Sequence, residues 1–472
     1  MKSKVKLISG LKDWNRDYEK LIPKGASAAK SMQGVIPAEM GLYLDEKGYY
    51  HTSGYVGVGW LKDYQGKIMI DSVSGEKLAL MIVPRFSLNP WEMLIKVMND
   101  PEYELYASGS NGDFFEIHTS EELVPVPNTE TGGELLAAIS FVKECEKICR
   151  KHLRQVMDFK EENFNGKIVG NIQVVKHIKQ NVSQAREDRI FCKYPIFTVD
   201  TLENRVMKAA LIKTKKSFRN YGIAVKEIGR IYRYCENSLK AIRTVRISKS
   251  DFNRINTTGF NSCYKRVMEL AKTVLLGTGV NDLVGKETDE TRYVIPYTIN
   301  MEHLFEFYVR AILKECLRKN SDSNIILDEY RMPQKNPLFT LKDSDQQAYL
   351  MNHYVPDIAL IEQSDSESKY IAVFDVKYQN SMNSVYNETR RHNSHQLLFY
   401  TLLLNVKKCG FIFPRRQKDE KLGNLEIYEL NIQSGDAMDF SDREYTQWSV
   451  EFESASNNGL AERIIHYVKG IV

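Results

Sequence analysis

The sequence lacks the features that mark several common protein classes. No stretch is apolar over the roughly 18 residues that a membrane span requires, and the first twenty residues carry no apolar core or cleavage site of a signal peptide. It has only 13 prolines and 27 glycines among 472 residues, and no internal repeat or extended low-complexity tract. We therefore expect a cytoplasmic globular protein of two or three domains that does not bind membranes.

Paired cysteines are also scarce. The seven cysteines are an odd number spread over a long chain, which favours reduced thiols. Cys145 and Cys149 lie four residues apart on a predicted helix, but no second pair with zinc spacing accompanies them. We interpret them as buried thiols rather than as metal ligands.

A nucleotide-binding loop is missing too. The stretch from Gly279 to Lys286 resembles the phosphate-binding pattern GxxxxGK[ST], but five residues separate the glycines and Glu287 replaces the hydroxyl residue. The preceding RVMELAKTVLL predicts a helix, whereas the signature requires a strand. GYVGVG at 54–59 lies inside a predicted strand. We expect that this chain binds no nucleotide.

Charge is nearly balanced overall but not locally. The chain carries 65 basic and 61 acidic residues, yet the segment 205–249 holds thirteen basic residues and only two acidic ones. A local excess of this size attracts a polyanion, although a solvated helical surface is the alternative. The predicted contacts to double-stranded DNA are Arg205, Lys208, Lys213, Lys215, Lys216, Arg390, Arg391, Arg415 and Arg416.

The pattern of elements predicts an α+β protein of several domains. Residues 1–130 read as a β-rich domain with one short helix at NPWEMLIKVM and a hairpin turning at Asn111-Gly112. Residues 131–292 read as a basic helical region, interrupted by a short extended piece near RIFCKYPIFTVD, in which Val225, Ile228, Ile231 and Cys235 mark one buried face. Residues 293–472 alternate helices and strands and predict a C-terminal α/β domain.

The C-terminal domain carries the clearest chemical signal. Asp357 begins one apolar run and Asp375-Val376-Lys377 ends the next. Residues two apart in a strand point to the same side, so paired strands would bring two carboxylates, the Val376 carbonyl and one ammonium together. Such an oxygen cage suits Mg²⁺, which polarises a phosphate and activates water, while Lys377 orients or deprotonates the nucleophile. A structural ion pair is the alternative.

This arrangement resembles the PD-(D/E)xK nuclease superfamily, with Asp357 and Asp375-x-Lys377 as its two halves. HQLLFY matches the QxxxY motif of the RecB-like branch through Gln396 and Tyr400, one helical turn apart. MEHLFEFYVRAIL supplies an upstream helix from which, by the same resemblance, Glu306 contributes to the catalytic and metal site. In the alternative interpretation, Gln396 and Tyr400 only cap the core and Glu306 is a surface acid.

The order of segments resembles the McrC family, the nuclease subunit of the McrBC modification-dependent restriction system, over roughly residues 50–415. The shared stretches are GYVGVGWLKDYQGKIMI with LMIVPRF, GKIVGNIQVVKHIKQN, IFCKYPIFTVDTLENRVMKAAL with Asp200, Asn204, Arg205 and Lys208 at matching positions, MEHLFEFYV and GFIFP. Arg85 follows the proline where the family more often has lysine.

The resemblance implies a DNA endonuclease that lacks an NTPase and works with McrB, a hexameric AAA+ GTPase. The N-terminal β domain of such a protein enters the pore of the ring and stimulates hydrolysis, and the partner recognises methylated cytosine. Two alternatives stay open: a standalone RecB-like repair nuclease, and a non-catalytic activator of a partner NTPase.

Overall fold

The computed structural model of the protein comprises two compact units. One unit is made of Met1–His118 and Pro296–Val472, and the other is Thr119–Ile295. The described residues are 5–14, 42–44, 50–62, 66–71, 73–86, 89–98, 100, 114–118, 121–127, 132–220, 229–276, 291–319, 324–328, 337–342, 348–353, 355–364, 368–379, 387–414, 426–429, 444–450 and 456–470.

The strands, in chain order, are β1 (Val5–Lys12), β2 (Leu42–Leu44), β3 (Tyr50–Thr52), β4 (Tyr55–Trp60), β5 (Lys77–Val83), β6 (Phe115–Ile117), β7 (Val124–Pro127), β8 (Val156–Asn165), β9 (Asn171–Ile172), β10 (Arg189–Thr198), β11 (Thr291–Val294), β12 (Tyr297–Asn300), β13 (Ile325–Leu327), β14 (Pro337–Lys342), β15 (Ala348–His353), β16 (Ile358–Gln363), β17 (Ser368–Val376), β18 (Lys408–Pro414), β19 (Glu426–Glu429) and β20 (Glu444–Val450). The helices are α1 (Pro90–Met98), α2 (Gly132–Lys151), α3 (Val174–Gln180), α4 (Leu202–Asn220), α5 (Gly229–Ser238), α6 (Lys249–Asn253), α7 (Lys265–Leu276), α8 (Met301–Lys319), α9 (Asn387–Leu403) and α10 (Ser456–Lys469). Short 3₁₀ turns span Val182–Gln184 and Gly259–Tyr264.

The first unit contains a five-stranded sheet in the order β1-β5-β4-β12-β6. Its central strand β4 is the YVGVGW segment, so the interpretation of this glycine-rich stretch as a strand is confirmed. Gly57 has φ +151, and a Cβ there would lie 2.0 Å from the Tyr297 carbonyl oxygen. Only glycine therefore allows β12 to pair so closely with β4.

Strand β12 joins the N-terminal and C-terminal parts of this unit. It pairs with β4 and β6, and the chain then passes at Met301 directly into α8. The rings of Phe114 and Phe307 lie 5.1 Å apart, and Lys314 Nζ lies 3.1 Å from Asp100 Oδ1. Helix α8 is thus held on one side by the N-terminal part of the chain.

The second sheet of this unit has six strands in the order β13-β16-β17-β18-β20-β19. Strands β16 and β17 are antiparallel, with Ile358 opposite Phe374, and β17 runs parallel to β18, with Asp375 opposite Phe411. Continuing the antiparallel register by one residue places Asp357 opposite Asp375. The predicted pairing of the two acidic strands is therefore present.

Helix α9 packs on β17 and β18. Val373, Leu397 and Tyr400 belong to one buried cluster with Phe411 and Phe413. Because side chains alternate along a strand, Asp375 extends from β17 on the same side as Val373. The apolar packing of α9 thus fixes the helix that carries Tyr400 beside the acidic strand end.

The second unit combines helices with a small sheet. Helix α2 packs against α4, α5 and α7, and their apolar faces form its core. Strands β8, β10 and β9 form a three-stranded antiparallel sheet, and β7 pairs with β11.

The helices predicted for the middle region are wrong at 156–165 and 171–172, which form strands, whereas the extended piece predicted near RIFCKYPIFTVD is confirmed as β10. Strand β8 occupies VMDFKEENFN and pairs along its full length with β10. Glutamate and lysine are depleted in strands, so the composition of β8 favours a helix, but cross-strand pairing with a partner some thirty residues later overrides that preference.

Other predictions have mixed outcomes. The α+β character is confirmed, and so is the helix at NPWEMLIKVM, where the Trp91 amide donates to Asn89 Oδ1 at 3.0 Å. The Asn111-Gly112 hairpin, Val225, Ile228 and the 279–286 stretch lie outside the described residues. The division into three domains at 130 and 292 stays a prediction. Most of the first and third predicted domains belong to one compact unit, Met1–His118 with Pro296–Val472. Among the described helices, none is long and apolar enough to cross a membrane.

Candidate active site

The ends of β16 and β17 bring the predicted acidic residues and lysine together. The backbone N–H of Val376 donates to Asp357 Oδ2 at 2.7 Å, and Lys377 Nζ lies 2.8 Å from Asp375 Oδ2. Asp375 is fully buried and Lys377 is 23% exposed, so the lysine reaches the carboxylate from the solvent side. The strand pairing therefore creates a small charged pocket at the edge of an apolar sheet.

The carboxyl group of Asp375 is incompletely bonded. Neither of its buried oxygens accepts a hydrogen bond of good geometry within the described residues, although Lys377 forms an ion pair with one of them. Burial and the nearby Asp357 charge raise the pKa of Asp375 well above its usual range. A buried carboxylate oxygen without a donor is costly, and a divalent cation would satisfy it.

Lys377 is held in its charged form by the site. Burial alone would lower its pKa, but the charges of Asp357 and Asp375 outweigh that effect, and the pKa of Lys377 is raised. The ammonium therefore balances the negative charge of the two aspartates. Its part in orienting or deprotonating a nucleophile stays a prediction.

Glu306 extends from α8 toward the same pocket. Its side chain is partly exposed, but burial of its carboxyl group and the Asp357 charge raise the pKa of Glu306 well above its usual range. It is therefore not a simple surface acid. Glu306, Asp357 and Asp375 do not all place a carboxylate oxygen within 4.8 Å of one another, so the three do not form one compact ligand set in the structure.

Gln396 and Tyr400 lie on one face of α9, as their spacing predicts. Gln396 Nε2 donates to the Tyr400 hydroxyl at 3.3 Å, and that hydroxyl lies 3.4 Å from the Val355 carbonyl oxygen. Burial raises the pKa of Tyr400, and the charges of Asp357 and Asp375 raise it further. The pair therefore borders the acidic pocket and contacts the chain just before Asp357.

Arg310 is a residue of this site that sequence reasoning missed. It is 2% exposed, and its guanidinium donates to the carbonyl oxygens of Asp357 and Asp328. Asp328 in turn accepts a hydrogen bond from the Tyr370 hydroxyl at 2.9 Å. The signal that could have identified Arg310 is a lone arginine inside the apolar run FYVRAIL, four residues after Glu306.

A second missed group supports the residue after the lysine. Arg85 donates to the Tyr378 carbonyl oxygen and stacks over the rings of Phe86 and Tyr378, at 4.8 and 5.2 Å from their centroids. The Arg85 amide donates to Asp13 Oδ1, so the carboxylate of Asp13 holds the arginine segment in place. The end of β17 is therefore anchored by residues from the N-terminal sheet of the same unit.

Arg205, one of the residues predicted to contact DNA, uses its charge within the second unit. Arg205 Nε lies 2.8 Å from Asp200 Oδ1, and Arg243 contacts the other oxygen of the same carboxylate. The hydrogen bond from Arg205 holds the pKa of Asp200 well below its usual range. Asp200 and Arg205, two of the positions that match the McrC family, thus form a local ion-pair network with Arg243.

The four predicted lysines of α4 differ in exposure. Lys208 donates to backbone carbonyl oxygens, among them that of Lys240 at 3.3 Å, and Lys213 donates to that of Leu275 at 3.0 Å. Burial lowers the pKa of Lys213. Lys215 is partly exposed and Lys216 is exposed. Lys215 Nζ lies 4.0 Å from Glu236 Oε1, whereas Lys216 extends into solvent. The contact of these lysines with DNA stays a prediction.

The arginines predicted near the acidic pocket are only partly described. Arg391 is exposed on α9. The side chain of Arg390, and both Arg415 and Arg416, lie outside the described residues. Their role as phosphate contacts stays a prediction.

The fold and the site define a two-unit α+β protein with a buried acidic pocket, balanced by a lysine, at the edge of a mixed sheet. A protein-family model described as McrBC 5-methylcytosine restriction system component matches residues 73–414. The chain belongs to this family, and the resemblance seen in the sequence is confirmed at that level.

Comparison with solved structures gives more distant likenesses. A refined half-complex of Thermococcus gammatolerans McrB AAA+ hexamers with bound McrC matches at 14% identity and a TM-score of 0.38, covering 98% of this chain and 100% of the other. The cryo-EM structure of the Thermococcus gammatolerans McrBC complex matches at 15% identity and a TM-score of 0.27, covering 70% and 89%. The search of curated proteins returned no significant match.

Proposed function

We propose that this chain is the DNA-cutting subunit of a modification-dependent restriction system and that it hydrolyses phosphodiester bonds with Mg²⁺. The observation that carries the proposal is the buried, incompletely bonded Asp375 carboxylate beside Asp357 and Lys377. Family membership supports the biological setting. The oxygen-only donor set fits a hard divalent cation.

Each group of the pocket has a distinct role in this proposal. Asp357 and Asp375, with the Val376 carbonyl, bind the metal, which would polarise the scissile phosphate and lower the pKa of a bound water. The Lys377 ammonium offsets the negative charge that develops on the phosphate. Glu306 extends toward the pocket and Gln396 and Tyr400 border it. In this proposal these three side chains position the reacting groups.

We propose in addition that a hexameric AAA+ GTPase ring of the McrB type is the partner that recognises the modified base. This part rests on the family description and on the sequence resemblance. In this division of labour the chain described here supplies the cutting site and binds no nucleotide itself, and it works in the cytoplasm on double-stranded DNA.

The test is cleavage of plasmid DNA containing 5-methylcytosine by the chain together with its ring partner, Mg²⁺ and GTP. Asp375→Ala should abolish cutting while association with the ring, measured by size-exclusion chromatography, is unchanged. Glu362→Ala is the matched control, because Glu362 is an exposed acid of the neighbouring strand β16. Cutting by Asp375→Ala at the wild-type rate would refute the proposal, and cutting of unmodified DNA by the chain alone would instead indicate a standalone nuclease.

A further inference from the structure

Three cysteine side chains converge inside the second unit. None of the residues of the acidic pocket belongs to this unit. The sulfur atoms of Cys145, Cys149 and Cys235 all lie within 4.8 Å of one another. All three are free thiols; Cys145 and Cys235 are buried, and Cys149 is partly exposed. Among the described residues they are the one group of three histidine, cysteine or acidic side chains with ligand atoms this close.

Two helices supply the three sulfurs. Cys145 and Cys149 are one turn apart on α2, so they lie on the same face of the helix. Cys235 lies on α5, which packs against that face, and its Sγ is 3.9 Å from the Val142 carbonyl oxygen. The sequence interpretation of Cys145 and Cys149 as simple buried thiols did not foresee the third sulfur, because nearly ninety residues separate it from them.

The geometry is close to that of a thiolate metal site. A metal bound to sulfur at about 2.3 Å holds neighbouring sulfurs roughly 3.8–4.0 Å apart. The three sulfurs here already lie within 4.8 Å of one another, so binding an ion would require only a small movement of the side chains. A cysteine that only fills space in a core behaves as a small apolar side chain and needs no sulfur neighbours. Here three sulfurs from two elements meet at one point.

The surroundings supply the other features of such a site. The partial exposure of Cys149 gives an ion a route to the cluster and leaves room for a fourth ligand from solvent. Thiolates prefer Zn²⁺ over the hard cation proposed for the acidic pocket.

We propose that Cys145, Cys149 and Cys235 bind one Zn²⁺ ion, with a water molecule as the fourth ligand, and that this ion fastens α5 to α2. The three thiols lose their protons to solvent when the ion binds, and no oxidant is required. The site is structural, and it stabilises the second unit independently of the function proposed for the first.

The experiment uses the full-length chain, reduced and stripped of metal by a chelator, then titrated with Co²⁺ and separately with Zn²⁺. The wild type should show thiolate-to-cobalt charge-transfer absorption that saturates at about one ion per chain. Zn²⁺ should displace the cobalt and raise the melting temperature by about 5 °C or more. It should also protect three thiols from a thiol reagent.

Cys149→Ser is the informative variant, because Cys149 is the partly exposed member and its replacement leaves the two buried thiols in place. It should lose the charge-transfer band and the zinc-dependent rise in melting temperature. Cys263→Ser is the matched control, an exposed cysteine of the same unit outside the cluster, and should behave as wild type.

Several results would overturn the proposal. They are a wild-type chain that shows no charge-transfer band, a Cys149→Ser chain that keeps the band, and a disulfide among the three cysteines found by mass spectrometry in place of bound metal. Loss of DNA cutting by Asp375→Ala leaves this inference unaffected, because the two sites use different residues and different ions.

Discussion

At the scale of single residues, a substitution of Lys377 should affect metal binding and DNA cutting differently. Its ammonium lies 2.8 Å from Asp375 Oδ2, where it would compete electrostatically with the proposed cation. Lys377→Met should therefore bind Mg²⁺ at least as tightly as wild type in isothermal titration calorimetry, while DNA cutting falls by about 10²-fold or more.

Lys369→Met is the control for this substitution, because Lys369 is an exposed lysine of the same strand. It should change neither quantity. A Lys377→Met chain that loses Mg²⁺ affinity would show that the lysine maintains the pocket structurally and does not compete with the ion.

Asp13 gives a pH-dependent prediction at the same scale. Burial raises the pKa of Asp13 from 3.8 to about 6, against the opposing charge of Arg85. Between these values the folded state holds a proton that the unfolded state has lost, so the stability contributed by protonated Asp13 is lost as pH rises from about 4 to about 6.

The comparison with Asp13→Asn measures this effect, since asparagine keeps an acceptor oxygen but does not titrate. Urea unfolding at pH 4 and pH 6.5 should show the variant gaining stability relative to wild type by up to about 3 kcal/mol at the higher pH. A difference between the two proteins that is constant with pH would contradict the assigned cause.

At the scale of elements, the segment after β5 supports the end of β17. Arg85 binds the Tyr378 carbonyl oxygen and lies against the Phe86 and Tyr378 rings. Arg85→Met should lower the free energy of unfolding by on the order of 2–3 kcal/mol, because it leaves Asp13 buried without its cation. It should also reduce DNA cutting, because Lys377 directly precedes Tyr378.

Arg85→Lys should restore part of both losses, since lysine keeps the charge but cannot bond and stack at once. Arg266→Met, at an exposed arginine with a surface ion pair to Glu269 at 3.9 Å, should cost about 0.5 kcal/mol or less. Equal losses in Arg85→Lys and Arg85→Met would contradict the account, because they would show that the charge at this position does not matter.

The same scale shows what the sequence could predict. Strands β16 and β17 were predictable because each is a continuous apolar run, the first begun by Asp357 and the second ended by Asp375-Val376-Lys377. The Gln396–Tyr400 contact follows from helical spacing. Strand β8 was not predictable, because its acidic and basic residues favour a helix. It forms a strand because it pairs with β10.

Other parts of the site depend on pairings far apart in the chain. The pairing of β12 with β4 joins segments some 240 residues apart, and no local pattern announces it. Arg310 is visible in the sequence as a charged residue in an apolar helix, but its bonds to the Asp357 and Asp328 carbonyl oxygens depend on where the sheet lies. Local patterns thus predict the elements and their acids, whereas the supporting residues follow from tertiary packing.

At the scale of the whole molecule, the first unit is built from both ends of the chain. Strand β12 pairs with β4 and β6. Glu315 of α8 forms an ion pair with Lys96 of α1, in the N-terminal part of the chain. A fragment of residues 293–472 alone should therefore fail to fold, because β12 and α8 would expose the surfaces that they bury in the full chain.

A chain in which residues 119–295 are replaced by a short flexible linker should instead fold, since it keeps both parts of the first unit. Circular dichroism and limited proteolysis would distinguish the two. A fragment of 293–472 that unfolds cooperatively by itself would show that the C-terminal part is an independent domain, as the division at 292 assumed.

The central claim is that Asp357 and Asp375 together bind a divalent cation. Anomalous diffraction from crystals of the full-length chain soaked with Mn²⁺ tests it most directly. The account predicts a peak about 2 Å from a carboxylate oxygen of each aspartate, lost in Asp375→Asn crystals. Manganese bound elsewhere, with no peak between these two side chains, would contradict it.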